Sequence, residues 1–349
     1  MNSVSESSSS GASGSAEGDR VALGILYKSA YAEVRVLLTG WNTFADLEEW
    51  AGVTISQEGR VIKLALQGKL RGLVEPNRSK APGSSILAEL CQLGALEELK
   101  LDSLGLTGSI PPSIGQLSAL TSLDLSRNQL SGSIPWSIGD LSALMSLHLR
   151  GNQLSGSIPP WIGDLSALTK LQLGGNQLSG SIPRSIGDLS ALTSLQLVGN
   201  QLSGSIPRSI GQLSALTNLQ LGGNQLSGSI PPSIGDLSAL ISLQLWGNKL
   251  DGSIPRSISQ LRALSKLQLG GNQLSGSIPP WIGQLSALIS LHLWGNKLDG
   301  SIPPSIGQLS ALTSLQLGEN QLSGEQWSMH VLCASRVAHH SVLVSDIGC

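Results

Sequence analysis

Between residues 96 and 324, leucine and isoleucine recur at fixed intervals, and the set of intervals itself repeats. Leu96, Leu120, Leu144, Leu168, Leu192, Leu216, Leu240, Leu264, Leu288 and Leu312 stand 24 residues apart and open nine complete units and a partial tenth. The common pattern is LxxLxLxxNxLSGSIPxxIGxLSA. The stretch LQLGGNQLSGSIP is spelled identically at 171–183, 219–231 and 267–279, two units apart each time. A strict period of this length is the signature of a solenoid, in which one turn buries its apolar side only against its neighbours.

Within a unit each position has a physical task. In LTSLDLSRN, Leu123 and Leu125 alternate with polar residues, which predicts a short strand with leucine inward and Ser122 and Asp124 outward. Asn128 follows, and Asn recurs at 152, 176, 200, 224, 248, 272, 296 and 320. An amide where the chain turns inward suits the backbone groups of adjoining turns, which would otherwise be buried without partners. Gly132 and Pro135 shape the return, and Ile138, Leu141 and Leu144 close the other side of the core.

This pattern resembles the plant-type leucine-rich repeat, above all in its LSGxIPxxIGxL half, and the resemblance runs over about residues 60–324. It implies an α/β repeat: a right-handed solenoid with a parallel β-sheet on the concave face and a second short strand near LSGSIP. DRVALGILYKSA, Trp41 and LEEWAGVTISQEGRVIKLAL resemble the helical N-terminal cap of such proteins. The expected organisation is an unstructured Ser/Gly-rich arm at 1–18 and a cap at 19–60. An irregular first repeat follows at 61–95, then the regular array at 96–324 and an atypical tail at 325–349, either a cap or a truncated frame.

Composition narrows the function. A net charge of −2 lacks the basic footprint of a nucleic-acid binder. Aromatics are only 3%, so Leu and Ile must fill the core, and no run of 18 apolar residues suggests a transmembrane helix. The N-terminus has neither the basic nor the apolar region of a secretory leader. Glu48 and Ile55 stand where secreted members of the family resembled carry paired cysteines, and Asn77 opens a single N-x-S sequon. Together these favour a cytoplasmic monomer; an extracellular one requires more chain upstream. Cys91, Cys333 and Cys349 form no CxxC, and Cys333, His339, His340 and Cys349 match no zinc spacing, so neither metal nor cofactor is expected.

The outward strand column reads Asp124, His148, Gln172, Gln196, Gln220, Gln244, Gln268, His292 and Gln316, and Lys170 and Lys266 interrupt a neighbouring column of serines. A third column, in which glycine is the commonest residue, carries Ser126, Arg150, Val198, Trp246 and Trp294. His148 and His292 lie six units apart, about 29 Å at the strand spacing, and cannot share a proton or a metal. Asp124 and His148 are neighbours with serines nearby, but no oxyanion hole or pocket accompanies them, so the chain reads as a non-enzyme. Trp246 and Trp294, about 10 Å apart on one column, either anchor a ligand or pack over glycines of adjoining units. Trp136, Trp161 and Trp281 are expected to cover the edge of the stack. Arg184, Arg208 and Arg256 are expected to pair with Asp140, Asp164, Asp188 and Asp236 along it.

The expected function is recognition of a protein or peptide on the concave face. Arg150, Lys170, Gln172, Gln196, Gln220, Gln244, Trp246, Lys266, Gln268, His292 and Trp294 would line it. The resemblance adds receptor ectodomains and pathogen recognition as contexts. The alternative is binding to a periodic surface, ice or a cell-wall polysaccharide, through the regular Ser and Gln ladders.

Overall fold

The computed structural model describes residues 15–29, 50, 52–66 and 83–323. Most of the arm, Trp41, Glu48, the Asn77 sequon and the tail with Cys333, His339, His340 and Cys349 lie outside the described residues. The chain divides into two compact units, Met1–Leu154 and Ser155–Cys349.

The first unit opens with a helix, Ala16–Ser29. It starts inside the stretch expected to be an unstructured arm, because the Ser15 hydroxyl accepts the Gly18 N–H at 3.1 Å. Glu17 and Asp19 occupy its first turn, where carboxylates meet the positive end of the helix dipole. Asp19 is buried and clips the helix to the first strands: Oδ2 accepts Arg60 Nε at 2.9 Å and the Val61 N–H at 2.8 Å. Strand Val53–Ile55 runs antiparallel to Val61–Ala65, and every later pairing is parallel: Val61–Ala65 with Glu98–Lys100, then Ser122–Asp124, then Ser146–His148. A helix, Gly83–Leu90, stands in the irregular first repeat where later turns carry a single 3-10 turn. Its Leu87 and Leu90 are fully buried; Cys91 follows with its thiol donating to the Leu87 carbonyl, and burial pushes that thiol's pKa up.

In the second unit the front strands are Lys170–Gln172, Ser194–Gln196, Asn218–Gln220, Ser242–Gln244, Lys266–Gln268, Ser290–His292 and Ser314–Gln316. They pair in parallel with equivalent residues side by side, as in Leu195↔Leu219 and Leu219↔Leu243. The QLSG and KLDG segments form a second parallel layer, one sheet through Lys249–Asp251 and a separate three-stranded one of Ser275–Ser277, Lys297–Gly300 and Gln321–Leu322; its register slips, Ser203 facing Gln225 and Ser227 facing Lys249. Each turn ends in a proline and a short 3-10 helix such as Arg184–Asp188, which lowers Ile186 into the core. The fold class is the expected one, parallel strands in a repeated series with few helices. The leucine and isoleucine columns are buried, most of them completely, until the last turns, where Ile302, Leu317 and Leu322 are half-buried.

The asparagine column ties successive turns together. Asn224 Oδ1 accepts the Leu202 N–H of the preceding turn at 3.1 Å, while its Nδ2 donates to Leu197 O of that turn and to Leu221 O of its own, both at 3.0 Å. Asn248, Asn272 and Asn296 repeat the same three bonds, and Asn128 and Asn152 do so in the first unit. A second stitch runs along the 3-10 turns, where Ser209 Oγ donates to Arg184 O at 2.6 Å and Ser233 Oγ to Arg208 O at 2.8 Å. The glycine of each IG pair makes room for it: a Cβ on Gly211 would sit 2.5 Å from the Ser233 carbonyl oxygen. The arginines and aspartates on this side form no ion pairs with one another among the described residues, contrary to expectation. They are mostly exposed, and holding long side chains together there gains little over hydration.

Replacing Asn224 by Ala removes one acceptor and two donor contacts at a buried site. Urea unfolding is expected to show a loss of about 2–4 kcal/mol, from backbone groups left without partners. Gln225→Ala, on the exposed neighbour, should stay within about 0.5 kcal/mol.

Candidate functional site

Because strand pairing and the Asn ladder satisfy the backbone and the inward leucines fill the core, the outward residues of the front strands are free of structural duty. In the second unit the register sets Lys170, Ser194, Asn218, Ser242, Lys266, Ser290 and Ser314 in one row. Gln172, Gln196, Gln220, Gln244, Gln268, His292 and Gln316 form the next. The Gln row is half-buried by its own packing, with Gln244 Nε2 donating to Ser242 Oγ at 3.0 Å and Gln220 Nε2 to Asn218 Oδ1 at 3.1 Å. Arg150 is exposed directly after strand Ser146–His148 of the first unit.

Trp246 and Trp294 lie flat over the preceding turn. A Cβ on Gly222 would meet Trp246 Cε2 at 2.5 Å, and one on Gly270 would meet Trp294 Nε1 at 2.4 Å. Both tryptophans therefore pack over glycines, as one of the two sequence readings has it, and still present a ring edge or face: Trp294 is 37% exposed and Trp246 half-buried. Their alternation with glycine in the same column is the sequence signal for this packing. Ile241 and Ile289, at 47% and 49% exposure, precede the strands of the same two turns and extend the apolar surface. Sequence reasoning passed over them, although they stand in a column otherwise rich in threonine. Trp136 does not cover the stack as expected but is 68% exposed, since its position at the start of the 3-10 turn Trp136–Asp140 points it away from the core; Trp161 and Trp281 are half-buried.

His292 sits in a polar nest. Gln268 Nε2 lies 3.2 Å from its Nδ1, and Ser290 Oγ and Ser314 Oγ lie 3.1 and 2.9 Å from its Nε2. With the amide donating to Nδ1, the neutral ring keeps its proton on Nε2 and gives it to a serine. Burial, and then the nearby Lys266 charge, hold its pKa below the usual histidine value. In the first unit His148 Nδ1 is 3.6 Å from Asp124 Oδ2, and its Nε2 is 3.0 Å from Ser146 Oγ. Burial works against ionisation of Asp124, but hydrogen bonds from His148 and Ser126 outweigh it and keep the carboxyl below its ordinary range. Among the described residues no group of three or more His, Cys, Asp or Glu is arranged to hold a metal, and no helix is long and apolar enough to cross a membrane.

The hydroxyls of the column preceding the front strands are committed to backbone: Thr193 Oγ1 donates to Thr169 O at 2.9 Å and Thr217 Oγ1 to Thr193 O at 3.0 Å. The second layer differs. Ser157, Ser181, Ser205, Ser229, Ser253, Ser277 and Ser301 all stand exposed at its outer margin, a row outside the leucine strands that define the sequence-based site.

Comparison with known proteins supports one family. Leucine rich repeat models match residues 94–154, 142–202, 166–226 and 214–274, and a further one matches 287–309. No curated protein matches. Among solved structures the chain is similar to the ectodomain of the Arabidopsis receptor kinase HAESA in complex with an N-terminally extended IDA peptide hormone. That match has 35% identity over 88% of this chain and 50% of that one, with a TM-score of 0.76. It is similar to the plant peptide hormone receptor RGFR1 in complex with RGF2, at 41% identity over 68% and 38% of the two chains and a TM-score of 0.67. A plant ice-binding protein matches at 28% identity over 88% and 87%, with a TM-score of 0.65. The chain thus spans half or less of the two receptor chains and most of the ice-binding one.

The depressed pKa of His292 makes stability pH-dependent. The folded protein binds fewer protons at this site than the unfolded chain, whose histidine titrates near ~6.5. The contribution is therefore complete above about pH 6.5 and lost as pH falls through the lower folded value. Thermal melts between pH 7.5 and 5 should show a smaller decline for His292→Gln than for the wild type.

Proposed function

The chain belongs to the leucine-rich repeat family, and we propose that it is a non-catalytic recognition protein whose front strand face holds an extended peptide or protein segment. The observation that carries this is the second unit's outward face, a ladder of amides and hydroxyls with partly exposed Trp294, Ile289 and Ile241 beside it. Hydrogen-bonding rows fix a backbone, and a partly exposed tryptophan supplies the buried area that dominates binding energy. Lys170, Gln172, Gln196, Gln220, Gln244, Trp246, Lys266, Gln268, His292 and Trp294 are the proposed contacts there. Arg150 is proposed as a contact in the first unit. The similar receptors whose structures contain peptide hormones use the same architecture, which supports the reading for this shorter chain.

Selection of a random twelve-residue peptide library on the full chain tests it. Recovered peptides should bind at least about tenfold more weakly to Trp294→Ala. Trp246→Ala should cost less, because that ring is more covered. Peptides indifferent to both changes would move the site off the front face.

A second reading is favoured by one observation, the row of exposed serines on the second layer together with similarity to a plant ice-binding protein along most of its length. One exposed hydroxyl at the equivalent place in each turn presents a regular array to a crystalline surface. If this reading holds, the protein shows thermal hysteresis, and the triple change Ser181→Lys/Ser205→Lys/Ser229→Lys abolishes it while leaving peptide capture intact.

A further inference from the structure

The two units treat the charges on their front strands differently. In the first, Lys63 pairs with Glu98 at 3.5 Å, Lys100 pairs with the same Glu98, and His148 meets Asp124. In the second, the front strands Lys170–Gln172 to Ser314–Gln316 contain no Asp or Glu at all. Lys170 and Lys266 are their only fixed charges, and neither has a carboxylate partner among the described residues. Glu319, in the turn after the last strand, lies against Gly295. Two cations on a surface of otherwise neutral hydrogen-bonding groups are an unmatched charge pattern, and such patterns steer and select partners of opposite charge.

The register gives the pattern a length. Ser194, Asn218 and Ser242 separate the two lysines in a single row, so Lys170 and Lys266 are four strands apart, about 19 Å at the strand spacing. An extended peptide laid across the strands rises about 3.3 Å per residue and covers that span in about six residues. Lys266 is also bracketed: the turns on either side of it carry the same apolar pair, Ile241 with Trp246 and Ile289 with Trp294. A carboxylate reaching Lys266 therefore has apolar surface on both sides, whereas the turn after Lys170 carries Thr193 and half-buried Val198 in place of an Ile–Trp pair.

We propose that the front face of the second unit selects an extended segment of another protein with two acidic side chains about six residues apart, one of them flanked by apolar residues. This rests on the peptide-recognition reading above and adds the chemistry of the partner to it. Lys170 and Lys266 read the two carboxylates, the Ile and Trp pairs read the flanking apolar side chains, and the glutamine row holds the backbone between them.

The test is to sequence the peptides that a random twelve-residue library yields on the full chain at low salt, and to repeat the selection on Lys170→Gln/Lys266→Gln. The expected result is enrichment of Asp or Glu pairs at a spacing near six residues on the wild type and no such enrichment on the double variant. Individual acidic peptides should bind the variant about three- to tenfold more weakly, with the difference vanishing at high salt. Binders without acidic bias, or acidic binders that ignore the lysine changes, overturn the charge inference and leave peptide recognition standing. A selection that enriches nothing overturns both. Circular dichroism of the double variant, expected to match the wild type because both lysines face outward, separates a lost contact from a lost fold.

Discussion

From Asn128 to Asn296 each successive turn depends on a buried amide. Where the chain leaves a front strand and bends into the second layer, backbone N–H and C=O groups of two successive turns point into a leucine core that offers them nothing. One asparagine per turn resolves this with an acceptor aimed at the previous turn and donors shared between that turn and its own, as Asn248 does with Leu226, Leu221 and Leu245. No hydroxyl or carboxylate can do both at this point, since only an amide carries an acceptor and two donors on one planar group. The same bonds make stability a nearest-neighbour property, because each asparagine couples its turn to one other.

With the backbone satisfied from within, the outward columns are released from structural service and carry the differences between turns. The leucine columns hardly vary, whereas the column after the front strand holds Arg150, Val198, Trp246 and Trp294 among glycines. The tryptophans are possible because the turn before each has glycine: the indole takes the volume that a side chain on Gly222 or Gly270 would fill. A ring held flat in this way loses little freedom when a ligand covers its remaining surface, which is the condition for a strong anchor.

Two surfaces with different chemistry result. In the second unit the front face has its threonine hydroxyls turned onto carbonyls, glutamines bonded to neighbours, and Lys170 and Lys266 left without acids. The second layer presents serine hydroxyls in an exposed, nearly uniform row. The first is heterogeneous along its length and suits a segment with a sequence of its own; the second is periodic and suits a periodic partner. Arginines and aspartates along the 3-10 turns, which form no ion pairs with one another, serve solubility on the remaining side.

The repeat was legible in the sequence down to single positions, because a 24-residue period read ten times over leaves little choice of where leucine points or where asparagine turns inward. The rows of outward residues followed directly, since parallel pairing of identical turns sets equivalent positions side by side. What the sequence left undecided were matters of how neighbouring side chains share space and charge. That Trp246 and Trp294 rest on glycines while keeping exposed surface, that Trp136 stays in solvent, and that the expected arginine–aspartate pairs do not form depend on side-chain direction, which spacing alone does not contain. The start of the first helix at Ala16, the burial of Asp19 against Arg60 and the slipped register of the second layer likewise arise from contacts distant in sequence or between turns. Periodicity is a property of the chain and determined the scaffold; partnership between side chains is a property of the folded surface, and only the tertiary structure decided it.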